Sequence, residues 1–208
     1  PQEYLQSNLV GFHNVLFLCQ KFNIQNLIYA SSSSVYGGNE NIPFYEDQSV
    51  DHPVSFYAAT KKCNEIMAHS YSHIYDLPCT GLRFFTVYGP WGRPDMAPMI
   101  FTKAIINGEE IKIFNNGEMY RDFTYIEDVV EGIYRCCSKT AEVDINFDRK
   151  NPNPSTSFAK HRIFNIGNNK PVQLLEFVEA IETSLCKKAI KEFQPMQMGD
   201  VKNTFANI

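Results

Sequence analysis

The chain has 208 residues, 44% hydrophobic and 20% charged, which is ordinary globular composition and enough for one sizeable core or one and a half domains. A net charge of −4 excludes general attraction to nucleic acid or anionic membrane, so a bound anion must be met by placed arginines, of which there are six: Arg83, Arg93, Arg121, Arg135, Arg149 and Arg162. No apolar run approaches the roughly 18 residues of a membrane span, and the opening residues read as amphipathic helix rather than signal peptide.

In chain order, Leu5, Leu9, Phe12 and Leu16 recur at helical spacing and predict a helix over about 2–22, with Pro1 suited to its start. Leu27-Ile28-Tyr29-Ala30 predicts a short buried strand ending in four serines. Gly37-Gly38, Pro43 and Pro53 make 37–54 mostly loop. A second long helix follows over 56–75, stopped by Asp76-Leu77-Pro78. A strand over about 79–86 leads into a Gly/Pro/Trp loop at 88–95. The alternation of strand, helix and strand implies parallel pairing with right-handed crossovers.

Beyond residue 95 the spacing predicts a helix near 97–107, a strand 110–114, a turn at Asn115-Asn116-Gly117 and a strand 123–125. A helix 127–137, a polar surface excursion 139–161, a strand 162–167 and a helix 173–186 complete the chain. The expected fold is α/β: a partial, Rossmann-like doubly wound parallel sheet over 1–95, interleaved with a smaller α/β lobe over 96–208. A ligand site is expected at the carboxyl ends of the strands. The six cysteines form no C-x-x-C and read as reduced, buried thiols of a cytosolic protein. The five histidines show no metal-ligand pattern, and His69 and His73 read as helix-surface residues.

Two segments carry chemistry. Ser31-Ser32-Ser33-Ser34-Val35-Tyr36-Gly37 places hydroxyls at a strand end; Tyr57-Ala58-Ala59-Thr60-Lys61 places a phenol and an ammonium on one helical face. Hydroxyl, phenol and ammonium are the groups that handle the proton of a substrate alcohol while a cofactor takes its hydride. A lone Y-x-x-x-K is a weak signal; its place after a proline-bearing loop and a hydroxyl-rich strand end strengthens it.

With these pieces stand Asn8-Leu9-Val10-Gly11, Leu82-Arg83-Phe84-Phe85-Thr86-Val87-Tyr88-Gly89-Pro90, Arg121-Asp122-Phe123-Thr124-Tyr125-Ile126 and Gly199-Asp200-Val201. Together, and in this order, they resemble the extended short-chain dehydrogenase/reductase family and within it the nucleotide-sugar 4-epimerases. Gly89-Pro90-Trp91-Gly92-Arg93-Pro94-Asp95-Met96-Ala97 and Phe164-Asn165-Ile166-Gly167-Asn168-Asn169 resemble the UDP-glucuronate 4-epimerases most closely.

The resemblance implies NAD as cofactor, with Tyr57 as the base toward the sugar 4-hydroxyl, Lys61 on the nicotinamide ribose, Ser32 at the 4-oxygen and Ser33 or Ser34 assisting. It also places Ser7, Ser31 and Phe85 beside the cofactor. Thr86, Phe114, Arg121 and Asp200 fall on the UDP-sugar, and Arg93 on its carboxylate in a bidentate fork. Gln197 stands three residues before Asp200, where the family often has arginine or glutamine, so the usual arginine contact is not implied here. Related dehydratases carry Asp-Glu at Ser33 and Ser34, and related decarboxylases a Glu at Ser34; serines there favour oxidation and re-reduction without elimination. The family's G-x-x-G-x-x-G is not in the chain, which reads as an N-terminally truncated fragment. A neutral UDP-hexose epimerase and a non-catalytic fragment remain alternatives. The resemblance further implies a cytoplasmic homodimer joined through helices 2–22 and 55–75.

Overall fold

Apolar strands pair mostly in parallel and pack against amphipathic helices in the computed structural model, which describes residues 1–196 and 201–208. The helices are α1 (Gln2–Tyr4), α2 (Gly11–Lys21), α3 (Phe56–Tyr75), α4 (Ala97–Asn107), α5 (Ile126–Ser138) and α6 (Leu174–Leu185). The strands are β1 (Leu27–Ser32), β2 (Cys79–Phe84), β3 (Thr86–Tyr88), β4 (Glu110–Ile113) and β5 (Tyr120–Tyr125), then β6 (His161–Ile166), β7 (Pro171–Gln173), β8 (Ile190–Phe193) and β9 (Asn203–Thr204).

One sheet runs β1-β2-β6, all parallel, with Leu27 opposite Cys79 and Cys79 opposite His161. Leu16 and Cys19 of α2, Ala68 of α3, Tyr29, Cys79 and Ile163 form one core on this sheet. Along β6, Ile163 faces that core, so Ile166 points to the other face, where a Cβ on Gly132 of α5 would approach it at 3.2 Å. Helices therefore cover both faces, which is the doubly wound arrangement. The sheet takes its third strand from beyond residue 95. A second core joins Phe101 and Ile105 of α4, Ile111 and Ile113 of β4, and Leu174 and Val178 of α6. There β4 pairs in parallel with β8.

Several elements differ from the sequence expectation. The single strand expected over 79–86 is two: β2 ends at Phe84, and Thr86–Tyr88 pairs instead with Phe123–Tyr125. Between them the Phe85 N–H donates to the Ile166 carbonyl at 3.1 Å, and its ring enters a third core with Val35, Tyr36, Phe44, Val50 and Ala206. The apolar run continues while its partner changes, so periodicity alone shows no break. The strand expected over 110–114 ends at Ile113; Phe114 opens a 3₁₀ turn. The helix over 2–22 contains a π-helical stretch, Leu5–Val10, between α1 and α2. Strands β7, β8 and β9 were not expected; they have two to four residues each, too few for a periodic signal. The cysteines are all free; Cys19 and Cys79 are buried, but Cys137 and Cys186 are exposed, correcting the uniform burial expected.

Helix α3 starts at a fixed place because Ser55 is its N-cap: the extended Ser55 accepts the Ala58 N–H at 3.1 Å. Asp76 in the left-handed conformation ends it. This start sets Tyr57 in the first turn and Lys61 one turn later. Ser55→Ala is expected to cost about 1 kcal/mol, read as a fall in Tm of roughly 2–4 °C. An unchanged Tm would show that the cap does not hold the helix start.

Candidate active site

A cavity of about 670 Å³ opens at the carboxyl ends of β1 and β2, against the first turns of α3. Its wall includes Ser31 to Ser34, Tyr57, Lys61, Phe84 to Arg93 and Arg121. Among the described residues lining it, Lys61, Arg93 and Arg121 are cationic and none is Asp or Glu. The cavity therefore favours an anionic ligand, and its described lining residues offer no carboxyl group for acid–base elimination.

The serine run folds tightly. Ser32 is extended and caps the 3₁₀ turn Ser33–Tyr36, its Oγ accepting the Ser34 N–H at 3.2 Å and donating to Ser34 Oγ at 3.0 Å. Gly37 follows at φ 53°, where a Cβ would meet the His52 carbonyl oxygen at 2.1 Å, so only glycine lets the chain leave this turn. Ser31 turns inward instead: its Oγ donates to Glu65 Oε1 at 2.6 Å. On α3, the Tyr57 ring lies 5.5 Å from that of Tyr4, and both line the cavity. Burial lowers the Lys61 ammonium below its usual range, partly offset by the charge of Glu65 one turn on.

Glu65 anchors this face of the helix. It is 4% exposed and forks onto Arg83, which is fully buried, at 2.9 Å (Nε to Oε1) and 3.0 Å (Nη2 to Oε2). Arg83 Nη1 also donates to the Tyr36 hydroxyl at 3.0 Å, and that hydroxyl donates to Asn165 Oδ1 at 2.7 Å. Burial pushes the Glu65 carboxyl up, but the hydrogen bonds and charge of Arg83, with the Ser31 hydroxyl, outweigh it and leave it below the usual range. This network ties α3, β1, β2 and β6 together directly behind the serines. Asn8 in the π-helical stretch fastens the other flank, donating to Thr60 Oγ1 at 2.9 Å while its carbonyl accepts from Asn64.

Arg121 lines the cavity and donates from Nη1 to the Tyr120 and Lys202 carbonyls, each at 3.0 Å. Its neighbour Asp122 is fully buried and accepts the backbone N–H groups of Asn168, Asn169 and Ala206. That carboxylate clamps the chain after β6 and the last residues onto β5, beneath Arg121. Arg93 sits at the rim in a two-pronged pair with Asp95.

Ser32, Ser33, Ser34, Tyr57, Lys61, Phe85, Thr86, Arg93 and Arg121 thus line one cavity. Two expected residues are not on it. Ser7 is exposed on the π-helical stretch, and Phe114 packs against the core between α4 and α6. Asp200 and Gln197 lie outside the described residues. His69, read as a surface residue, is half-buried and meets Ser157 Oγ at 2.7 Å and the ring of buried His161. Sequence reasoning did not single out Glu65, Arg83 as its partner, or Tyr4. An arginine inside an otherwise apolar strand, and an acid four residues after Lys61, were the available signals.

Residues 1–167 match the NAD dependent epimerase/dehydratase family. Protein CapI of Staphylococcus aureus is 57% identical over all 208 residues, and a probable UDP-glucuronate 4-epimerase of Rhizobium meliloti (strain 1021) is 48% identical over the same span. The chain spans 62% and 61% of their respective lengths. The crystal structure of UDP-glucuronic acid 4-epimerase from Bacillus cereus with UDP-glucuronic acid and NAD superposes with a TM-score of 0.83 at 31% identity, covering 99% of this chain and 60% of that one.

Proposed function

The chain belongs to the NAD dependent epimerase/dehydratase family, and on that premise we propose that it forms the proton-handling and sugar-holding part of an NAD-dependent UDP-sugar 4-epimerase acting on UDP-glucuronate. The observation that carries this reading is the composition of the cavity wall: four serines, the Tyr57 phenol and three cations, with no carboxylate among the described lining residues. The relatives named as UDP-glucuronate 4-epimerases and the NAD-bound structure support it.

The lining fits the nicotinamide-ribose end of NAD, because a half-buried ammonium at Lys61 and the ring of Phe85 lie on the same wall as Tyr57. NAD, when bound, supplies the acceptor and later the donor of the hydride at the sugar C4. Tyr57 accepts the proton of the 4-hydroxyl at its phenolic oxygen, with the Lys61 ammonium on the same helical face and cavity wall. Ser32 holds the 4-oxygen, its own orientation fixed by the Ser34 amide. Ser33, Ser34 and Thr86 bound the space in which the 4-keto sugar turns its other face. Arg121 meets the diphosphate and Arg93 the uronate carboxylate.

The exposed apolar residues Val10, Val15, Phe17 and Leu18 on the first helices, and Ile66 and Ile74 on α3, fit a homodimer through these helices. No helix among the described residues is long and apolar enough to cross a membrane; a cytoplasmic location agrees with this. The test is direct. The protein encoded by the complete gene, supplied with NAD, is expected to interconvert UDP-glucuronate and UDP-galacturonate, followed by chromatography of the nucleotide sugars. Failure with every UDP-sugar tried would remove the epimerase reading; turnover of neutral UDP-hexoses alone would remove the uronate.

A further inference from the structure

The guanidinium that awaits a sugar carboxylate already holds one. Arg93 Nε meets Asp95 Oδ1 at 3.1 Å and Nη2 meets Oδ2 at 2.6 Å, the fork a ligand carboxylate would use. The backbone presets this pair. Gly92 N–H donates to the Gly89 carbonyl at 3.1 Å and Met96 N–H to the Arg93 carbonyl at 3.2 Å, so two successive turns fix the loop. Pro94, with its restricted φ, separates the two partners. Both side chains are mostly in water, 68% and 62% exposed, so the pair is weak and exchanges at little cost. A carboxylate bound at the cavity wall is less exposed to water and interacts more strongly with the same charge.

Resting on the function proposed above, we infer that Asp95 is a specificity-determining residue: an internal carboxylate that competes for Arg93 and sets how strongly the site prefers a uronate over a neutral sugar. With Asp95 present, Arg93 is neutralised toward ligands that bring no carboxylate. A uronate recovers the guanidinium by exchange, and its affinity is reduced by the strength of the pair it displaces.

The experiment measures binding of UDP-glucuronate and UDP-glucose by calorimetry to the NAD-loaded protein, for wild type, Asp95→Asn, Arg93→Ala and the double variant. Both ligands carry the same diphosphate, so the ratio of their dissociation constants cancels the general change in charge. Asp95→Asn is expected to shift that ratio roughly two- to fivefold toward the uronate, and the shift is expected to vanish when Arg93 is alanine. A ratio unchanged by Asp95→Asn, or moved toward glucose, overturns the inference; Asp95 then only holds the guanidinium in place. If Arg93→Ala still lowers uronate preference in that case, the uronate reading survives. If wild type binds neither ligand, both proposals fall together.

Discussion

Tyr57→Phe is expected to lower turnover of the UDP-sugar by roughly 10²- to 10⁴-fold, with substrate binding and thermal stability nearly unchanged. The reason is local. Tyr57 is held by the helix start at Ser55 and by its ring contact with Tyr4, neither of which involves the phenolic oxygen. Among the described residues no side chain hydrogen-bonds that oxygen, so its removal leaves no polar partner stranded. What is lost is the group proposed to take the 4-hydroxyl proton. Steady-state kcat and KM with UDP-glucuronate, beside a melting curve, read this out. Turnover within tenfold of wild type would mean that another group takes the proton.

Glu65→Ala is expected to cost about 3–5 kcal/mol because it leaves the buried guanidinium of Arg83 uncompensated. In Tm that is a fall of roughly 6–20 °C at 2–4 °C per kcal/mol. Replacing both partners with apolar residues, Glu65→Leu with Arg83→Met, is expected to cost less than Glu65→Ala alone, since no charge is then left buried. A double variant less stable than the single one would show that the network, rather than its desolvated charge, supplies the stability.

The pH dependence of stability follows from the same groups. The Glu65 carboxyl is depressed in the folded chain, so its contribution is fully present above the unfolded value of about 4.3 and is lost as pH falls through the folded one. Burial also holds His161 neutral, pushing it down to about 3. The unfolded chain takes up that proton near pH 6.5, so stability declines across the window from there toward 3 as pH falls. Glu65→Gln is expected to flatten only the lower part of this acid limb, measured by denaturant unfolding at a series of pH values. A limb unchanged in shape would remove Glu65 from the account.

Position along a helix or at a strand end was legible in the sequence. The interval from Tyr57 to Lys61 on one helical face and the serines at the end of an apolar strand depend on neighbours within a few residues, and the structure has both. The family was equally legible, since its motifs are short local segments in a fixed order. Phe85 was harder, because an apolar run looks the same whether or not its hydrogen-bonding partner changes.

The sequence by itself therefore determined the α/β alternation and the placing of hydroxyls at the end of β1 and of a phenol and an ammonium on the first turns of α3. Tertiary structure alone decided which charges meet. Arg83 is committed to Glu65 inside the protein and Asp122 to three backbone amides. It also set Ser7 and Phe114 away from the cavity they were expected to line. The physical reason is range. Backbone preference and side-chain period act over one or two turns, whereas the partner of a charge is chosen by whichever distant segment packing brings within hydrogen-bond reach.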